Sequence, residues 1–312
     1  MAVLQERSKP GLVKLPKRLV GSVGSLRTKE RGWRESAGRV GPWRWRCVSI
    51  AVRSKIEAAA MNDPEVVVVI PSRFGSTRLP GKPLVTLAGK PMVQHVYERA
   101  KRAQTVHKVL VATDDQRIMD VVKGFGGEAR MTRTDHRTGT ERIAEVAARE
   151  KGDIFVNVQG DEPLLDPLAI DMAVGALLED SEAQISTVAT AIRHAGDIMD
   201  PNVVKTVLDF DDNALYFSRA PIPWVRDTQQ KVHVKYWKHL GLYAFRREAL
   251  LEYATLPQGE LERIEQLEQL RWMENGWKIR VAEVAHDAVS VDVPEDVARV
   301  EKLLHVEEHP AA

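Results

Sequence analysis

Four consecutive valines and an isoleucine, Val66–Ile70, stop at Pro71 and lead straight into a loop of cations and hydroxyls. A short β-branched run with no polar alternation reads as a strand buried on both faces. Such a strand needs helices above and below it, which points to a layered α/β fold. The next segments fit that frame. Residues 91–103 read as a helix, with Pro91 suited to the first turn and Met92, Val93, Val96 and Ala100 at helical spacing. Residues 108–112 read as a strand, 115–123 and 138–149 as helices, and 154–158 as a strand ending at Gln-Gly-Asp. This alternation implies right-handed βαβ units and a mostly parallel sheet, which binds ligands beyond its strands' carboxyl ends.

Further along the pattern changes. Residues 203–209 and 214–218 flank Asp211-Asp212-Asn213 and predict an antiparallel hairpin. A strand over 239–245 follows, then a helix from Glu260 to Glu274 that stops near Gly276, a strand over 278–284 and a last helix over 294–304. The expected architecture is α/β, a mostly parallel sheet flanked by helices, with an inserted β-hairpin-rich portion.

The charge balance conceals two regions. The whole chain has 45 Lys+Arg against 44 Asp+Glu. Residues 1–60 carry 14 of the basic residues against four Glu, a net +10, and residues 61–312 are net −9. The first segment lacks Asp, scatters Trp33, Trp43 and Trp45 among its charges, and shows no sustained period. It reads as a transit-like peptide, as a basic arm for phosphate backbones, or as an extension outside the functional unit. We take the third reading, with a start placed too early, because every motif described below lies after Met61. A native N-terminus found near Ala2 would contradict it. Residues 61–312 are then the catalytic domain. The single cysteine, Cys47, lies in the extension. That excludes a disulfide framework, cysteine-ligated zinc, an iron–sulfur cluster and a thiol nucleophile from the body. No apolar run reaches the roughly 18 residues of a membrane span.

The first loop, Pro71-Ser72-Arg73-Phe74-Gly75-Ser76-Thr77-Arg78-Leu79-Pro80-Gly81-Lys82-Pro83, holds three cations, three hydroxyls and two glycines. Glycine lets backbone approach a ligand closely, and Arg and Lys neutralise phosphate oxygens. A Walker A loop is excluded, because five residues separate Gly75 from Gly81-Lys82 and Pro83 follows. No Gly-x-Gly-x-x-Gly is present to support dinucleotide binding.

This loop resembles the opening signature of the nucleotidyltransferases that activate sugars, most closely the 3-deoxy-manno-octulosonate cytidylyltransferase family. Six further blocks resemble the family in order: Met131-Thr-Arg-Thr-Asp-His136 with Thr138-Gly-Thr-Glu-Arg142, Asn157-Val-Gln-Gly-Asp-Glu-Pro163, Tyr216-Phe-Ser-Arg-Ala-Pro-Ile-Pro-Trp224, His239-Leu-Gly-Leu-Tyr243, Leu267-Glu-Gln-Leu-Arg271 and Val291-Asp-Val-Pro-Glu-Asp296. The resemblance spans Val66 to Leu304 and leaves out residues 1–60. Ser72 departs from it, since the family more often has alanine there. The resemblance implies a nucleotide-diphospho-sugar transferase-like, Rossmann-like fold. It implies transfer of CMP from CTP to 3-deoxy-D-manno-octulosonate (Kdo) for lipopolysaccharide synthesis, with pyrophosphate released. An 8-amino-Kdo or sialic-acid-type acceptor stands as the alternative, and a nucleic-acid-binding role for the arm as the different class.

Candidate residues follow in groups. Arg73, Ser76, Arg78 and Lys82 are expected on the triphosphate, and the resemblance implies Arg133 and Gln159 near the nucleotide. Asp161 and Asp292 lie at strand ends, where loop capping is the ordinary reading. The resemblance implies both as Mg2+ ligands and, with Arg73 and Lys82, as catalytic residues. On the helix expected over 260–274, Leu261 and Ile264 would mark an apolar stripe that turns Glu268 inward, as a buried ion pair with an Arg or as an acceptor for sugar hydroxyls. His239 and Tyr243 share one side of their strand. Arg219 and Arg226 flank the Pro-Ile-Pro-Trp turn, either as carboxylate forks or as solvated charges. The resemblance implies that His239, Tyr243, Glu268 and Gln269 line the sugar pocket. Trp224, Trp237, Trp272 and Trp277 are expected in the core or at a subunit interface. The resemblance further implies a homodimer. With CTP and Kdo as substrates, no nucleic acid or membrane partner is expected, and the location is cytoplasmic.

Overall fold

The first strand, β1 (Val66–Ser72), has Val67, Val68, Val69 and Ile70 fully buried in the computed structural model. That model describes residues 64–75, 78–227, 234–253 and 255–308, so the basic segment and Ser76 lie outside the described residues. Short strands β2 (Thr86–Leu87) and β3 (Lys90–Pro91) form a separate ribbon. Then come helix α1 (Met92–Ala100), β4 (Lys108–Thr113), α2 (Gln116–Gly124), β5 (Ala129–Met131), α3 (Gly139–Ala147) and β6 (Ile154–Asn157). The chain continues through α4 (Pro167–Glu179), β7 (Ile185–Ala191), α5 (Ala195–Met199), β8 (Lys205–Leu208), β9 (Ala214–Ser218) and β10 (Trp237–Arg246). It ends with α6 (Arg247–Tyr253), α7 (Glu260–Glu265), α8 (Gln269–Glu274), β11 (Ile279–Glu283) and α9 (Pro294–Glu308).

Strands β11-β7-β10-β6-β1-β4-β5 form one sheet in that order, and the β8–β9 hairpin extends it from β10. β1 pairs in parallel with β4 and β6, and β4 with β5. β10 alone in this order runs antiparallel to its neighbours. The pleat divides β1 between two cores. Val66, Val68 and Ile70 pack with α1, α2 and α4, while Val67 and Val69 pack with α3, α6 and α8. Burying each such side chain contributes roughly 1.5–3 kcal/mol, so the run locks β1 at the centre of the layers.

Caps set the helix starts. Asp115 accepts from Arg117 N at 2.9 Å ahead of α2, and Thr138 accepts from Glu141 N at 3.1 Å ahead of α3. Each satisfies an otherwise orphaned donor. Beyond β6, a Cβ on Gly160 would lie 2.9 Å from Ser72 Oγ and 3.0 Å from Pro71 O. Only glycine lets the two strand ends close to this distance.

The structure corrects several expectations. The helix expected over 260–274 is two helices, broken at Gln266 with φ of +52°. Leu261 and Ile264 are exposed, 38% and 69%, so they form no inward stripe. The ion pair weighed for Glu268 is made instead by Glu262, which takes Arg271 in bidentate fashion at 2.6 and 2.7 Å. Pro91 precedes α1 rather than opening it. The helix α4 and strand β7 were not among the expected elements, although Asp166-Pro167 supplies an ordinary helix start, with Asp166 accepting from Leu168 N. Trp272 is a core residue, and Trp224, at 76% exposed, lies outside the core, which leaves the interface reading for it.

Ser72 Oγ is buried among the described residues without a hydrogen-bond partner. Removing a buried unsatisfied hydroxyl relieves a cost on the order of 1 kcal/mol. Ser72→Ala should therefore raise the thermal midpoint by a few degrees, a shift readable by calorimetry.

Candidate active site

The carboxyl ends of β1 and β6 open into a cleft of about 300 Å³ lined by Arg73, Arg78, Lys82, Gln159, Gly160, Asp161 and Asp292. Its floor is the first loop. Gly81 takes a left-handed φ of +67°, where glycine carries no Cβ penalty, and its N–H donates to Phe74 O at 3.2 Å. The Arg117 guanidinium stacks 3.4 Å from the centre of the Phe74 ring, and Asp115 holds Arg117 through two bonds of 2.6 and 2.9 Å. The loop is thereby fastened to the start of α2.

Lys82 begins a 3-10 turn, Lys82–Leu84. Its Nζ lies 2.5 Å from Asp161 Oδ2 and 3.0 Å from Asp292 Oδ1, while Arg78 reaches Asp292 Oδ1 at 2.9 Å. Two residues far apart in sequence thus converge on one ammonium. The loops that carry them are joined by Val291 N donating to Asp161 O at 2.9 Å. Asp296 accepts from the N–H groups of Asp292 and Val293, fixing the second carboxylate at the start of α9. Among the described residues no cluster of three or more potential metal ligands exists. Two convergent carboxylates nevertheless fit a hard divalent cation that takes its remaining oxygens from phosphate and water. Next in sequence, burial and then the charge of Asp161 push Glu162 up to about 8.

The opposite wall comes from His136, Arg137, Thr138, Gly139 and Arg142. Arg142 is buried and donates to Thr132 Oγ1 at 2.5 Å and to Asp114 at 2.8 Å. Sequence reasoning did not single out Arg137 and Arg142, although His136 and Arg142 stand within the motifs quoted above. Arg133, which it did single out, is 67% exposed, pairs with Asp135 at 3.1 Å and is not part of the cleft lining.

Gln159 links this cleft to a second group. Its Nε2 donates to Gly241 O at 3.2 Å, between His239 and Tyr243 on β10. The His239 and Tyr243 rings are 5.4 Å apart, on one side of the strand as the spacing predicts. His239 is buried beside Phe217 and contacts Thr187 Oγ1 at 3.0 Å. Glu268 is half-buried nearby, with Thr140 Oγ1 donating to it at 2.9 Å and the Tyr253 hydroxyl donating to its other oxygen. Burial raises its pKa, while the hydrogen bonds oppose the rise. Gln269 is buried in the first turn of α8.

Arg219 differs from expectation. Its guanidinium donates to the carbonyls of Glu265, Pro201 and Gln266, so in this conformation it clamps the hairpin to the α7–α8 break and offers no free fork. Buried Lys205 reinforces that corner by donating to Asp200 O and Arg219 O. Arg226 is exposed beyond the turn.

Burial drives the His239 pKa from 6.5 down to about 3. Between those values the unfolded chain binds the extra proton, so stability rises with pH through that window and levels off above about 6.5. The slope due to this group approaches about 1.4 kcal/mol per pH unit. His239→Gln should flatten the pH dependence of the unfolding midpoint between pH 4 and 6, measured by denaturant titration.

A parallel α/β sheet with a polycationic loop and paired carboxylates at its carboxyl edge defines a nucleotide-binding transferase. Residues 67–279 match the cytidylyltransferase family model. The chain is 51% identical over 247 residues to 3-deoxy-manno-octulosonate cytidylyltransferase of Geobacter sulfurreducens, covering 76% of this chain and 99% of the relative. The enzyme of the same name from Solibacter usitatus is 52% identical over 235 residues, with coverages of 75% and 92%. A solved structure of CMP:2-keto-3-deoxy-manno-octonic acid synthetase complexed with CTP superposes with a TM-score of 0.74 at 44% identity, covering 78% of this chain and 99% of that one. The chain belongs to the cytidylyltransferase family, among the 3-deoxy-manno-octulosonate cytidylyltransferases.

Proposed function

We propose that the cleft carries out the reaction of that group: CTP and 3-deoxy-D-manno-octulosonate give CMP-Kdo and pyrophosphate. The anomeric hydroxyl of the sugar attacks the α-phosphorus of CTP. The bond from that phosphorus to the β-phosphate's bridging oxygen breaks, pyrophosphate leaves, and the hydroxyl proton passes to solvent. The observation that carries this reading is the convergence of Arg73, Arg78 and Lys82 with Asp161 and Asp292 in one cleft.

Arg73, Arg78 and Lys82 bind the triphosphate and neutralise charge that grows on the leaving group, the effect that pre-set cations provide best. Ser76 belongs to the same loop by sequence. Arg137 and Arg142 add positive charge from the opposite wall, a role that Arg133's position supports less well. Gln159 stands between nucleotide and acceptor. Asp161 and Asp292 would hold Mg2+, which when bound orients the α-phosphate and acidifies the attacking hydroxyl. His239, Tyr243, Glu268 and Gln269 bind the acceptor sugar, with neutral His239 and the Glu268 carboxylate meeting hydroxyls. Exposed Arg226 is better disposed than Arg219 to meet the acceptor carboxylate. Holding both substrates in line supplies most of the catalysis without a covalent intermediate.

Among the described residues no helix is long and apolar enough to cross a membrane. We place the enzyme in the cytoplasm, where CTP is made, as a homodimer acting on no nucleic acid.

Pyrophosphate release measured with CTP or UTP against Kdo, 8-amino-Kdo and a sialic acid should be greatest for CTP with Kdo. Asp161→Asn should cut kcat by on the order of 100-fold or more at fixed Mg2+, in the range of lost electrostatic catalytic groups. Near-normal turnover of that variant would remove Asp161 from the metal site.

A further inference from the structure

Glu268 is held in an unusual way for a residue facing a ligand. It lies at the break between α7 and α8, where no helix fixes its direction from both sides. Both of its oxygens instead accept from hydroxyls on other elements: Oε2 from Thr140 at 2.9 Å, and Oε1 from Tyr253. Thr140 and Tyr253 are themselves fully buried. Tyr253 is wedged edge-on against Trp272 at 5.9 Å, and the Arg271 guanidinium lies 4.8 Å from its ring centre. Arg271 is in turn locked by Glu262. Burial together with Glu268 raises the phenol's pKa, so Tyr253 stays protonated and donates.

Thr140 has a second connection. It is one residue beyond Gly139, and Thr138 and Gly139 line the polyphosphate cleft. A Cβ on Gly139 would lie 3.2 Å from Pro71 Cγ, so this end of α3 packs tightly against the first loop. The hydroxyl that fixes Glu268 therefore stands on a rigid turn whose preceding residues face the nucleotide.

We propose that Thr140 and Tyr253 are positioning residues for the acceptor sugar: they set the direction of the Glu268 carboxylate, and Thr140 holds it in register with the nucleotide cleft. This rests on the reading of Glu268 as an acceptor contact. Thr138 also hydrogen-bonds the carboxylate, and of its four lone pairs one remains for a sugar hydroxyl after three protein hydroxyls. Without Thr140 or Tyr253 the carboxylate would still be present but would sample directions in which that bond is long or bent. Small misplacements of this kind are costly in a site that works by orientation.

The test uses the full chain and steady-state kinetics with CTP and Kdo. Thr140→Val and Tyr253→Phe keep volume and remove only the donors. Each should raise KM for Kdo about tenfold, as loss of a hydrogen bond to a charged group does, and leave KM for CTP within about twofold. Thr140→Ser should restore the Kdo KM. In a Glu268→Gln background the Thr140→Val change should add little, because coupled residues are non-additive. If Thr140→Val and Tyr253→Phe shift both KM values alike, or lower only the thermal midpoint, their role is structural and the proposal is overturned. If Glu268→Gln itself leaves the Kdo KM unchanged, the acceptor reading of Glu268 has failed, and the proposal falls with it. A raised Kdo KM in Glu268→Gln beside normal values in the other two overturns the positioning role alone.

Discussion

The parallel pairing of β1 with β4 and β6 is the constraint on which the cleft depends. Parallel neighbours bring their carboxyl ends to one edge, and loops from distant parts of the sequence must then meet there. Double-sided burial of Val66–Ile70 keeps β1 from sliding, since a one-residue slip would exchange its two cores. The close fit of Gly160 against Ser72 and Pro71 sets how near the Asp161 loop comes to the first loop. Lys82 can span to Asp161 only because backbone packing has already brought these segments together.

The acceptor side rests on different physics. The cleft beyond β1 and β6 holds charges in direct contact, Lys82 with Asp161 and Asp292 and Arg78 with Asp292. In the neighbouring group, His239 is held by the Thr187 hydroxyl and Glu268 by the hydroxyls of Thr140 and Tyr253. Such networks are strong when complete and costly when broken. Arg219 and Lys205 extend the same principle to the hairpin corner, where cations are consumed by main-chain carbonyls. A charge in this part of the molecule serves the fold before it serves a ligand.

These differences explain what the sequence revealed. β1, α2, α3, β6 and the β8–β9 hairpin were legible because periodicity, caps and turn residues are local signals. The Arg73–Lys82 loop was legible because its charge density has no packing rationale. The break at Gln266 was not, since its left-handed residue is a glutamine and the surrounding run of helix formers gives no stop signal. For that reason Glu268 was expected inward by an incorrect route: Leu261 and Ile264 face solvent, and hydroxyls from other elements hold the half-buried carboxylate. Arg142 was passed over because its burial depends on Asp114 and Thr132, partners that only the tertiary fold brings near. The exposure of Arg133 depends equally on where its loop runs. Partners 10 and 28 residues away, as Thr132 and Asp114 are from Arg142, leave no mark on periodicity.

The Lys82 bridge has a further consequence. Asp161 and Asp292 share a cation tethered to the chain, so the two carboxylates do not repel each other unscreened. A divalent ion held there, as proposed above, would compete with that ammonium. Polyphosphate oxygens offer Lys82 an alternative partner, which would ease the ion's entry. Under the proposed function, ion and nucleotide would be thermodynamically linked, each lowering the free-energy cost of admitting the other. On the reading proposed above, a lysine in this place would act as an internal competitor for the divalent ion.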